Sequence, residues 1–167
     1  KFSWEKLNWI NSQYIKNMES IKLSEIMRKY WDDNGWVPPS QEWAYKLAIL
    51  IRDSMTLLKD SIDQSKPFFL IPTIQKEGQD FLENKDSKTS LKLILNYLIE
   101  QKTIKLNKEK AKEIINEISK KHNIKKGILM KSLRVAFFGS LSGPDLIQSW
   151  ELFAESKTDR TRIERCL

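Results

Sequence analysis

Few residues in this sequence are of the kinds that carry out covalent chemistry, and they are poorly placed for it. The one histidine, His122, and the one cysteine, Cys166, offer neither a Cys/His nor a Ser/His/Asp nucleophile and no His/Cys set for zinc. Cys166, next to the last residue, is the one cysteine of the sequence, so no internal disulfide can form, which fits a reducing compartment. Five glycines are too scattered for a loop that cradles phosphates, and no Gly-x-Ser-x-Gly elbow occurs. No Asp-rich calcium loop appears, and Asp32-Asp33 falls at a polar helix end, where surface charge explains it. The expectation is a chain without catalytic residue, metal or cofactor, one that binds rather than reacts.

The chemistry of binding is better represented. The net charge of +7 is uneven: residues 1–66 carry +1 and residues 67–167 carry +6. Ile118 to Pro144 contains no acid but holds Lys120, Lys121, Lys125, Lys126, Lys131 and Arg134. Such a stretch is either an electrostatic footprint for a polyanion or the solvated face of a Lys-rich protein. The six tryptophans also read two ways. Aromatic rings stack unpaired bases at about 1–3 kcal/mol each, but Trp9, Trp31 and Trp43 fall at the spacing of core anchors.

Helices must position these groups. Phe2, Leu7, Ile10, Tyr14 and Met18 form a first helical stripe with Ser3 placed to cap it. A second helix covers about Leu23 to Asp33 and ends at Asn34-Gly35, and a third runs from about Gln41 to Met55. After a short helix near Leu57 to Ser65, Pro67 and Pro72 bracket an apolar run that reads as non-helical, with a domain border near Pro67. The second half repeats the style. Helices are expected over Ser87 to Gln101, over Lys108 to Lys121 behind an Asn107 cap, and over Lys125 to Phe138 closed by Gly139. His122 reads as a helix-terminal residue facing the last carbonyls. Pro144 is preset for the first turn of another helix, and Ser156 to Asp159 resembles a capping box for a last one. No strand alternation competes, so the fold class is all-α. The longest uncharged apolar stretches fall short of the roughly 20 residues a membrane span needs. No secretory signal opens the sequence, and its first residue is Lys rather than Met, as expected of a piece of a longer chain.

Two stretches carry a family likeness. Trp4 to Lys16, with Lys6-Leu7, Trp9, Asn11 and Tyr14-Ile15, resembles the Lys-Leu-x-Trp-x-Asn-x-x-Tyr-Ile segment of bacterial glutamyl-tRNA synthetases. Leu133-Arg134-Val135-Ala136 with Gly139, followed by Gly143-Pro144-Asp145-Leu146, is similar to that family's motif near the C-terminus. Leu57-Leu58-Lys59-Asp60 and Phe68-Phe69 fall between them in the family's order. The resemblance implies two consecutive helical anticodon-binding domains, residues 1–66 and 67–167, from the C-terminal part of an ATP- and magnesium-dependent glutamate–tRNA ligase. The implied partners are glutamate tRNA, glutamine tRNA and the catalytic domain of the parent chain. A monomer in the cytoplasm, without catalytic activity of its own, is expected.

Carried over by position, the Arg of the C-terminal motif matches Arg134 and implies contact with the first anticodon base. A guanidinium is planar, permanently charged and able to bond and stack together. Gly143, Pro144, Asp145, Leu146 and Ile147 match the turn that would lie against the first and middle bases, although Leu146 and Ile147 also fit ordinary core. One departure concerns the third base. Discriminating members place an Arg there, but here Ser54 occupies the position, with Arg52 two residues before. A short neutral side chain cannot enforce cytosine over guanine, and a lost bidentate contact is worth about 1–3 kcal/mol. The expected parent is therefore non-discriminating. Two other functions fit the composition: a non-specific RNA-binding helical bundle, and a protein-interaction module built on the Trp-rich first half.

Overall fold

Short polar side chains cap five of the ten helices among the described residues: Ser3, Ser40, Asn84, Asn107 and Asp145. The computed structural model describes residues 1–102 and 105–167, and among these every regular element is helical. The described residues form two units, Lys1–Leu70 and Ile71–Leu167, each with its own core.

The first unit contains α1 (Trp4–Asn17), α2 (Ser20–Asp33), α3 (Gln41–Arg52) and α4 (Asp60–Phe69). Ser3 and Ser40 accept from the backbone N–H of Lys6 at 3.4 Å and of Trp43 at 3.0 Å. Each thereby satisfies an amide that the helix start leaves without an intrahelical partner. α2 ends at Gly35, φ +70°, where Trp36 N–H donates back to the Trp31 carbonyl at 2.9 Å. α2 packs on α3 through buried Leu23, Met27 and Trp31 on one side and Trp43, Leu47 and Ile51 on the other. α4 closes this core with Phe68, and the Phe69 ring lies 5.2–5.3 Å from those of Trp31, Trp36 and Trp43.

Two expectations fail here. Pro67 does not end a helix: it lies inside α4, and the unit boundary falls between Leu70 and Ile71 rather than at 66/67. A proline inside a helix costs about 3 kcal/mol. Burying Phe68 contributes about 1.5–3 kcal/mol, and each aromatic pair adds about 0.5–1.5, so the ring cluster outweighs the lost bond. The α1 stripe is the second failure. Ile15 and Met18 are buried, but Phe2, Ile10, Tyr14 and the expected core anchor Trp9 are exposed. Periodicity identifies an amphipathic helix without saying what covers it.

The second unit contains α5 (Lys76–Leu82), α6 (Lys85–Glu100), α7 (Lys108–His122), α8 (Lys126–Phe138), α9 (Leu146–Glu155) and α10 (Asp159–Glu164). α8 is central and touches each of the other five. Leu129, Leu133, Val135, Ala136 and Phe137 are fully buried in it, facing Leu91 and Ile94 of α6, Ala111 and Ile114 of α7, and Trp150 and Phe153 of α9. Asn107 caps α7 as expected, accepting from Lys110 N–H at 2.8 Å, and His122 ends that helix in solvent.

α5 went unread because it is short and contains Gly78. That glycine serves close packing: a Cβ there would lie 2.9 Å from the Gly139 carbonyl oxygen. α9 begins at Leu146 behind Asp145, so Pro144 precedes the cap instead of opening the first turn. Thr158 occupies the cap position of α10 in helical backbone and makes no capping bond, because its hydroxyl accepts from Arg162 Nε at 3.1 Å.

Candidate nucleic-acid interface

The outer side of α8 carries Lys126, Met130 and Arg134, four residues apart and hence on one face, with Lys131 beside them. The lysines and Met130 are exposed and Arg134 is half-buried. Lys125 and Lys126 sit at the start of α8, whose first turn has no acid. A helix start repels cations by about 0.3–1 kcal/mol each, so helix stability does not account for these two. Lys120 and Lys121, at the end of α7, are where a helix favours bases. The solvated-face explanation therefore suits α7 better than α8.

Arg134 joins α8 to the loop that follows. Its Nη1 donates to the carbonyl oxygens of Pro144 at 2.8 Å and Gly143 at 3.3 Å. Among the described residues Nε and Nη2 make no hydrogen bond, which leaves them for a ligand. The loop is fixed from several sides. Gly139 takes φ +73°, where a Cβ would come within 2.1 Å of the Thr73 carbonyl oxygen. Its own carbonyl accepts from Gln75 N–H at 2.8 Å. Ser140 Oγ donates to the Ser142 carbonyl at 3.0 Å, and Leu141 N–H donates to Glu77 Oε1 at 3.3 Å. Gly143 lies against the Phe138 ring, where a Cβ would be 2.9 Å from Cδ2. Asp145 Oδ1 caps α9 by accepting from Gln148 N–H at 2.9 Å.

Arg134, Gly143, Pro144 and Asp145 thus come together at one edge. Leu146 and Ile147 do not join them: both side chains are buried, 2% and 8% exposed, so of the two roles open to them they fill the core. The turn presents backbone and a proline ring, not an apolar platform.

Behind this edge, two arginines hold the end of α8. Arg162 is fully buried, donates from Nη1 to the Phe137 carbonyl at 2.9 Å and lies 4.0 Å from the Phe153 ring centroid. Burial, and then the charge of Arg165, lower its pKa to about 10, so it stays protonated at neutral pH. Arg165 donates from Nη2 to the Ala136 carbonyl at 3.1 Å and from Nη1 to the Pro72 carbonyl.

In the first unit, Ser54 follows α3 and is exposed. Its hydroxyl lies 2.7 Å from the Ile51 carbonyl oxygen and 3.1 Å from Gln64 Oε1. Asp60 Oδ2 accepts from the N–H groups of Thr56 and Leu57 at 3.0 and 2.7 Å, which fixes the loop next to it. Arg52 turns elsewhere, donating to Ser20 Oγ at 3.1 Å and the Met18 carbonyl at 3.4 Å. It does not take the place of a guanidinium at position 54.

A family model described as an anticodon binding domain matches residues 22–167. The chain belongs to the anticodon-binding domain family. A glutamate–tRNA ligase of Prochlorococcus marinus strain AS9601 is 93% identical over all 167 residues, which span 35% of that relative. The match is to the C-terminal part of such ligases, so the chain covers about a third of their length. Crystal structures of glutamate–tRNA ligases from Elizabethkingia meningosepticum, in complex with its amino acid, and Elizabethkingia anophelis share the fold. Their TM-scores are 0.88 and 0.85 at 24% and 25% identity, over 99% of this chain and 32% of each of theirs.

In this anticodon-binding chain, six of the 29 bases are arginines, and at least five of the six donate to main-chain carbonyls: Arg52, Arg134, Arg160, Arg162 and Arg165. A guanidinium fork can bridge two carbonyls where an ammonium serves as a point charge. Arg162 and Arg165 were missed as supports of the edge. The signal available was their type, arginine in a chain that otherwise chooses lysine.

Proposed function

We propose that this chain is the tRNA anticodon-binding part of a glutamate–tRNA ligase and grips the loop at the edge formed by Arg134, Gly143, Pro144 and Asp145. The observation that carries this reading is the half-buried Arg134, pinned through Nη1 to the Gly143 and Pro144 carbonyls with Nε and Nη2 left over. A guanidinium held in one plane can stack on an unpaired base and bond its edge without first being ordered. The lysines of α8 would supply the sequence-independent attraction to phosphates.

Ligation belongs to the part of the parent upstream of this chain, which would hold ATP and magnesium. The described residues gather no group of three or more His, Cys, Asp or Glu fit for a metal. No described helix is long and apolar enough to cross a membrane. The parent is proposed to act as a cytoplasmic monomer. With Ser54 exposed and Arg52 tied to Ser20 and Met18, it would accept glutamine tRNA as well as glutamate tRNA.

The test is binding of a glutamate-tRNA anticodon stem-loop against the same stem with a scrambled loop. Preference for the native loop supports specific recognition. Equal, steeply salt-dependent binding to both supports a non-specific RNA binder instead, and no binding to either supports a protein-interaction module.

A further inference from the structure

A helix leaves its last four carbonyls without intrahelical partners, and α8 ends where the edge begins. Val135 to Gly139 are all buried there, so protein groups must serve these carbonyls. Gly139 N–H donates to the Val135 carbonyl at 2.8 Å, Arg165 Nη2 to that of Ala136 at 3.1 Å and Arg162 Nη1 to that of Phe137 at 2.9 Å. Gln75 N–H donates to the Gly139 carbonyl at 2.8 Å. Arg165 does more than cap, because its Nη1 also donates to the Pro72 carbonyl. One guanidinium thus clips the strap of residues 72–75 to the last turn of α8. The same strap brings the Thr73 carbonyl so close to Gly139 that a Cβ has no room. It then runs into α5, whose Glu77 accepts from Leu141 N–H at 3.3 Å. The edge loop is held between this strap and α8, and Arg165 is the tie.

We propose that Arg165 is a positioning residue for anticodon binding: by bridging Pro72 and Ala136 it fixes the chain path through residues 136–141, and with it the plane of the Arg134 guanidinium. This role rests on the anticodon reading above and acts through Arg134, not on the RNA itself. The link is geometric. Arg134 stands two residues before Ala136, whereas its acceptors, the Gly143 and Pro144 carbonyls, lie beyond the loop. Nη1 reaches both only while the last turn of α8 and the loop keep their relative positions. Binding groups must be held to within about 0.5 Å by a supporting shell, and a loose shell spoils a site that is otherwise complete. Helix stability alone does not call for this residue. A lysine also balances a helix end, and lysine is what this chain uses for most of its bases. Bridging two carbonyls from separate segments needs the guanidinium fork. Arg160 provides the contrast, since it donates to the Leu98 carbonyl at the end of α6, not of α8.

The test compares Arg165→Lys with Arg160→Lys in the intact ligase; both variants keep the charge, so the general attraction to phosphates is unchanged. Hydrogen–deuterium exchange without RNA is read at the Gln75 and Leu141 amides, and affinity is measured for the native and the scrambled anticodon stem-loop. Arg165→Lys is expected to speed exchange at both amides while α7 stays protected. It should also reduce the preference for the native loop by roughly 5-fold, the lower end of what one lost bidentate contact costs. Arg160→Lys should change neither. Glu77→Ala, at an exposed position, breaks the Leu141 bond from the strap side and should act like Arg165→Lys even if that variant folds poorly. Unchanged exchange at these amides overturns the clamp. Faster exchange across the whole second unit, or a local change that leaves the preference intact, overturns the positioning role in favour of plain stability. A ligase that shows no preference before substitution overturns the anticodon reading and this role with it. The exchange data, which need no RNA, tell that failure apart from failure of the clamp.

Discussion

Arg134 and Pro144, ten residues apart, are joined by a 2.8 Å hydrogen bond from Nη1 to the proline carbonyl, which ties α8 to the loop after it. The bond orders the guanidinium before any ligand arrives, so the entropy of fixing a long side chain is lost in folding and not in binding.

Replacing Arg134 by Ala removes both the strap and the free donors. Affinity for the native anticodon stem-loop is expected to fall by about 1–3 kcal/mol, roughly 5- to 150-fold, with little change for a scrambled loop. Lys126→Ala should instead weaken both RNAs alike and reduce the salt slope by about 1. Fluorescence anisotropy titrations at several salt concentrations separate the two patterns.

Gly139→Ala places a methyl group 2.1 Å from the Thr73 carbonyl oxygen on a backbone with φ +73°. The left-handed conformation alone costs about 1–2 kcal/mol for a residue with a Cβ, and the clash adds to it. Urea denaturation should show a lower midpoint with an unchanged slope. A variant as stable as the parent protein would mean that the contact between the α8 end and Thr73 is not formed.

Asp159 is buried, and burial raises its pKa above the ordinary 3.8 despite the hydrogen bonds from Arg160 N–H and Trp150. Above 3.8 the folded state then holds a proton that the unfolded state has released, so this group's contribution to stability falls as pH rises through its folded titration range. Asp159→Asn removes that dependence. The stability of the variant relative to the parent protein should therefore increase from about pH 4 upward, and a difference constant with pH contradicts the account.

Ser54 is exposed beside a loop held by Asp60, so an arginine fits there without displacing the core. Ser54→Arg in the intact ligase is expected to lower charging of glutamine tRNA relative to glutamate tRNA by roughly 5- to 150-fold, the worth of one bidentate base contact. Aminoacylation assays with both tRNAs give the ratio. An unchanged ratio, or a parent enzyme that does not charge glutamine tRNA, removes the basis for non-discrimination.

What the sequence disclosed depended on distance along the chain. Ser3 and Asn107 act on amides three residues away, and Gly139 ends the helix that it follows, so these caps and this helix end were readable locally. Pro67 was misread because the ring cluster that outweighs its cost comes from Trp31, Trp36 and Trp43, far upstream. Leu146 and Ile147 were placed at the interface by motif, but their position just after the Asp145 cap turns both side chains inward. Arg162 and Arg165 reach carbonyls 25 and 29 residues away, which no local pattern announces.

The most direct test of the anticodon reading is a chemical-shift map of this chain titrated with the glutamate-tRNA anticodon stem-loop. The prediction is that the largest changes fall on the Arg134 side chain and the Gly143 and Asp145 amides, and that a scrambled loop does not reproduce them. Changes confined to other surfaces, or an identical pattern with the scrambled loop, would contradict it.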